Sequence, residues 1–89
     1  MKDKKNRRNA RKLQMLAQLQ KLCLARMKTT DLLHIPPPER WPKTRELAEL
    51  CDENIYAART LLLALEVEGK IYCTYRSINN SLRWFIRFK

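Results

Sequence analysis

The 89 residues hold few groups suited to making or breaking bonds. His34 is the single histidine and lies beside prolines, and the three cysteines, Cys23, Cys51 and Cys73, are far apart with no C-x-x-C pair. A metal site needs ligands at short spacing, and nucleophilic catalysis needs a base brought to the nucleophile; neither pattern is present. With one glycine in the chain there is no phosphate-cradling loop. The reading is no enzyme, no cofactor and no metal. What the sequence does hold is a run of hydrogen-bonding side chains at helical spacing, Asn54, Tyr56, Arg59 and Thr60, with the small Ala57 among them. Asn and Arg read base edges through paired hydrogen bonds, Thr and Tyr hold phosphate oxygens, and a small Ala permits close approach. A second set, Arg76, Asn79, Asn80 and Arg83, surrounds a candidate turn from which basic side chains reach backbone phosphate or a minor groove.

Charge supports a polyanionic partner. The formal net charge is +10 with 19 Lys and Arg against 9 Asp and Glu, and the pI is about 10.0. Residues 1–12 carry seven bases and one acid, residues 70–89 carry five bases and no acid, and the middle is nearly neutral. A folded unit with basic ends is the pattern expected of a nucleic-acid binder. About five phosphate contacts give a slope of log K against log salt near −4 to −5. The odd, widely spaced cysteines fit a reducing, cytoplasmic setting. The basic start lacks a continuous apolar core of signal-peptide length, and the longest apolar run, residues 61–65, is far too short to span a bilayer.

Positioning those side chains requires the following elements. Residues 1–9 have no apolar side chain after Met1 and are expected to be a flexible basic arm. Residues 10–89 form the single domain. A first helix from Ala10 to Met27 packs Met15, Leu16, Leu19, Leu22 and Cys23, with Leu13, Leu24 and Met27 widening the stripe. Residues 28–43, with Pro36, Pro37, Pro38 and Pro42, make an extended connector pinned by Leu32, Leu33, Ile35 and Trp41. Thr44 is the expected N-cap of a helix from Arg45 to Cys51 that packs Leu47, Ala48 and Leu50. Asp52, Glu53 and Asn54 break it and open a third helix at Ile55, whose inward stripe is Ile55, Ala58, Leu61, Leu62 and Leu65 and which stops at Gly69. Period-two alternation then predicts strands from Ile71 to Arg76 and from Leu82 to Phe88, joined through Asn79-Asn80, with Tyr72 and Phe85 on the outer face. The fold class is mainly α with a small β-hairpin, in the order of a winged helix-turn-helix.

From Lys43 onward the chain resembles the FaeA/PapI family of small bacterial regulators of fimbrial operons. The resemblance rests on KTRELAEL (43–50), YAARTLLLALEVEGKI (56–71) and RWFIRF (83–88). Tyr56, Ala58, Arg59, Leu62, Leu65, Glu66 and Gly69 fall in step with the family pattern. Ala57 stands where the family usually has Gln, the connector is longer and proline-rich, and the basic arm is extra. The resemblance implies a transcriptional regulator that binds double-stranded DNA at fimbrial promoters together with the leucine-responsive regulatory protein. Tyr56 and Arg59 would face DNA, and Lys43 and Thr44, opening the preceding helix, complete the candidate contact set. Two other readings stay open: an adaptor that dimerises or docks through the wide stripe of the first helix, and an RNA-binding winged helix using Tyr72, Phe85 and the arm.

Overall fold

The computed structural model describes residues 2–27, 36–76 and 81–87. The order of elements is α1 (Lys2–Arg26), a short 3-10 turn (Pro38–Arg40), α2 (Thr44–Leu50), α3 (Ile55–Val67), β1 (Ile71–Cys73) and β2 (Trp84–Ile86). Helix α1 begins at Lys2 and not at Ala10, so the segment expected to be an arm continues the helix. Lys and Arg are good helix formers, and no Gly or Pro interrupts residues 2–26. At about 1.5 Å per residue α1 is roughly 38 Å long, and it accounts for most of the 43 Å long axis of the molecule. Among the described residues no helix is long and apolar enough to cross a membrane.

The core forms where α1 crosses α3 and β2. Met15, Leu19 and Cys23, spaced by four, meet Leu47, Ala48 and Cys51 from the second helix and its end. Ala58, Leu61, Leu62 and Leu65 from α3 and Ile71, Cys73, Trp84, Phe85 and Ile86 from the hairpin complete it. Leu50 and Ile55, expected to face inward, are exposed instead, as are Leu13 and Leu24 at the margins of the wide stripe of α1. The inward arcs of these helices are narrower than their apolar content suggested.

Two helix ends are closed in the same way. Cys51 caps α2, Asp52 takes the left-handed conformation at φ 55°, and the N–H groups of Asp52 and Glu53 donate to the carbonyls of Glu49 (3.3 Å) and Ala48 (2.8 Å). This is a Schellman closure, with Asp tolerated where Gly is usual. Gly69, at φ 79°, does the same for α3: its N–H and that of Lys70 donate to Glu66 (2.9 Å) and Leu65 (3.1 Å). The first closure fixes the turn between α2 and α3 and the second aims the chain into β1.

The hairpin is antiparallel, with Ile71 opposite Ile86, Tyr72 opposite Phe85 and Cys73 opposite Trp84. A one-residue bridge pairs Lys43 with Arg83 on the other edge of β2; the Trp84 N–H donates to the Pro42 carbonyl at 3.0 Å and the Thr44 N–H to Leu82 at 3.3 Å. Both strands are shorter than the alternation suggested. β1 stops at Cys73 because Tyr75 turns to φ 61°, and its N–H is taken by the Cys73 thiol at 3.3 Å.

β2 is also buried on both faces, so its period-two pattern does not sort inside from outside. Trp41, held by its indole N–H donating to the Pro36 carbonyl at 2.8 Å, lies over Phe85 with ring centroids 5.5 Å apart and beside Tyr72 at 6.3 Å. The Arg87 guanidinium sits 5.7 Å from the Tyr72 ring centre. The proline-rich connector thus covers the hairpin face that the sequence left open.

Candidate nucleic-acid interface

The outer face of α3 is built from its N-cap upward. Asn54 Oδ1 accepts the Ala57 N–H at 2.7 Å and starts the helix. A bidentate pair with adenine needs both the oxygen and the NH2 of an Asn, and the cap occupies one of the two lone pairs of that oxygen. Tyr56 is 84 % exposed; Arg59 and Thr60 are exposed and Ala57 is half-buried. The Thr60 hydroxyl donates back to the Tyr56 carbonyl at 3.0 Å. Leu63 and Val67 carry the exposed stripe to the end of the helix. The face therefore offers one cation, Arg59, amid aromatic, hydroxyl and apolar groups.

On one flank stands the start of the hairpin loop, where Tyr75 and Arg76 are exposed. The Tyr75 hydroxyl donates to Glu66 of α3, and that carboxylate pushes the phenol above its ordinary range. Burial pushes the Cys73 thiol up as well, with the Tyr75 N–H pulling the other way; the Glu66 charge raises it further and that of Arg59 lowers it. Arg59 and Glu66 therefore share the hairpin side of α3. Asn79 and Asn80 lie outside the described residues, as do His34, Leu32, Leu33, Ile35 and Phe88.

On the opposite flank is a neighbour that the residue pattern did not announce. A groove of about 360 Å³ runs between the first turns of α1 and the outer side of α3, lined by Arg7, Arg8, Arg11, Ala57, Thr60 and Leu61. Arg11 anchors it, donating through Nε and Nη2 to the two carboxylate oxygens of Glu53 at 2.7 and 2.6 Å. That paired contact holds the Glu53 carboxyl below its ordinary range. Lys12 pairs with Glu68 at the other end of α3 and lowers that carboxyl too. A signal for this did exist: counting back from Cys23, Leu19 and Met15 in steps of three and four reaches Arg11 and Arg8, so the inward stripe of α1 turns from apolar to basic.

Two expected contact residues are withdrawn from the surface. Thr44 is the first residue of α2 and not its N-cap, which is Lys43; it is 5 % exposed. Its hydroxyl accepts the Trp84 indole N–H at 2.8 Å and donates to the Leu82 carbonyl at 3.3 Å. Arg83 is 4 % exposed, and its Nη1 donates to the carbonyls of Glu39 and Trp41, both at 3.2 Å. It is a strut that holds the connector to β2. Lys43 is half-buried, its N–H donating to Glu46 Oε1 at 2.9 Å. Burial pushes the Glu46 carboxyl up, but Arg26 and the Lys43 N–H outweigh it and hold the carboxyl below its ordinary range.

Phe85 is wholly buried, and Tyr72 is half-buried between Trp41 and Arg87. Neither offers an open ring face of the kind on which bases stack. Burial raises the Cys23 thiol to about 11, with the Ile86 N–H and the Arg26 charge pulling it back. The Cys51 thiol is pushed up by burial and by the Glu53 charge. Thiols so placed are core groups and not nucleophiles. Among the described residues no group of three or more His, Cys, Asp or Glu is placed to hold a metal ion. In comparisons with known proteins, no family model, no curated protein and no solved structure matches the chain.

Proposed function

We propose that this chain is a winged helix-turn-helix protein that binds double-stranded DNA and regulates transcription, with α3 as the helix that enters the major groove. The observation that carries the reading is the outer face of α3, with Tyr56, Arg59 and Thr60 exposed between the Arg76 side of the hairpin and the basic start of α1. A major groove about 12 Å wide admits one helix, and α2, locked to α3 through the closure at Asp52, acts as its brace. The buried Phe85 and the covered Tyr72 take away the two stacking platforms on which the RNA reading relied.

The resemblance over residues 43–88 narrows this proposal to a regulator of fimbrial promoters that acts with the leucine-responsive regulatory protein. The test is a titration of labelled duplexes, one a fimbrial-type promoter with GATC sites and one scrambled, with and without that partner. Arg59→Ala is expected to weaken binding to the preferred duplex by about 1–3 kcal/mol and to relax its preference. Equal affinity of wild type and Arg59→Ala on both duplexes counts against α3 as the reading element.

One observation favours a second reading. Leu13 and Leu24 are 61 % and 48 % exposed, and their spacing of eleven puts them on one face of α1, away from the core. An adaptor or homodimer through that face gives a concentration-dependent mass that Leu24→Glu abolishes. A constant monomer mass removes it.

A further inference from the structure

We propose that the groove between the first turns of α1 and the outer side of α3 seats the sugar-phosphate backbone of duplex DNA, with Arg7 and Arg8 as its cationic contacts. The inference rests on the DNA reading and deepens it, assigning backbone contact to a helix that the helix-turn-helix unit does not include.

Three observations carry it. The groove is lined by three arginines from α1 and by Ala57, Thr60 and the buried Leu61 from α3, so its α3 wall carries no charge to oppose a phosphate strand. Arg11 is bound to Glu53 by both nitrogens, and Lys12 is paired with Glu68; among the described residues, Arg7 and Arg8 have no ion-pair partner. Arg7, Arg8, Arg11 and Lys12 follow one another within α1, so like charges recur at spacings of three and four, where they repel. A line of phosphates relieves that repulsion as it binds.

The geometry also divides the labour. Arg7 and Arg8 stand beside Thr60 and Ala57 and not on the Arg59 side of α3, so they contact a strand flanking the groove that α3 reads. Contacts of this kind add affinity on any sequence and none of the preference.

The test is an anisotropy titration of the full chain on the promoter and scrambled duplexes at several salt concentrations, comparing wild type, Arg7→Gln/Arg8→Gln and Arg59→Ala. Both arginines are exposed, and retention of the helical circular dichroism and of the melting temperature shows that the double variant folds. For two lost phosphate contacts the slope of log K against log salt becomes shallower by about 1.8, equally on both duplexes, with sequence preference intact. The amide resonance of Arg11, on the α1 side of the groove, moves on adding duplex to wild type and stays in place in the double variant. An unchanged slope with preference lost only in Arg59→Ala overturns the groove and leaves the DNA reading standing. Failure of wild type to bind any duplex overturns both. Displacement of duplex by equimolar polyglutamate would hand the groove to an acidic protein and overturn the proposal.

Discussion

Replacing Thr44 by Val tests whether this residue serves the fold or a ligand. The side chain keeps its branched shape and loses one oxygen. That oxygen accepts the indole N–H of Trp84 at 2.8 Å, and Trp84 is fully buried, so the change leaves a donor with neither partner nor water. A buried donor left unsatisfied costs about 1–3 kcal/mol. The other bond of the hydroxyl, to the Leu82 carbonyl, is long at 3.3 Å, and that carbonyl also accepts the Thr44 N–H, so its loss adds little. The expected destabilisation is about 2 kcal/mol, equivalent to roughly 8–16 °C in melting temperature for a domain of this size.

Urea denaturation reads the loss as a lower midpoint with unchanged m value. A cycle with Trp84→Phe isolates the pair: with the donor gone, the Val costs far less than in the wild-type background. At a temperature where both proteins are folded, the proposed binding to DNA should have the same affinity in Thr44→Val as in wild type. A variant within about 0.5 kcal/mol of wild type in stability, or one with normal stability and weakened DNA binding, would refute the assignment.

Gly69→Ala should destabilise by about 1–2 kcal/mol. The cost comes from φ 79° alone, since the added Cβ meets nothing nearer than Arg87 Nη1 at 3.7 Å; thermal denaturation measures it, and an unchanged melting temperature contradicts it. Glu46 has a carboxyl pKa depressed by folding, so its stabilisation is complete above the unfolded value of about 4.3 and is lost as pH falls through the lower folded value. Glu46→Gln should therefore flatten the fall in stability below about pH 4.3 and cost about 0.5–1 kcal/mol near pH 7, the range for a part-exposed pair. Parallel acid limbs in the two proteins would show that the Arg26 pair contributes nothing.

Periodicity and turn chemistry made much of this architecture legible. The three helices, the breaks at Asp52–Asn54 and Gly69 and the order of the two strands follow from apolar spacing and from residues that accept left-handed backbone. Residue type was a poor guide to burial where partners come from distant segments. Charge alone places Arg83 at the surface, yet it is buried and its Nη1 donates to the carbonyls of residues 39 and 41. Thr44 was assigned to a cap, yet its oxygen faces Trp84, forty residues away. Phe85 was assigned outward by alternation, a rule that holds only when one face of a strand meets water; Trp41 covers the other. The basic start was separated from the domain on composition, because entropy arguments weigh the missing apolar groups and not the continuity of a helix nucleated further along.

The placement of β2 also sets the order of events as the chain is made. The Ile86 N–H donates to the Cys23 thiol across 63 positions, so the apolar stripe of α1 emerges early and its cover is translated late. At about 5–20 residues per second, the delay is roughly 3–13 s. Through that interval Met15, Leu19 and Cys23 have no β2 to pack against, while the bases ahead of them are already out.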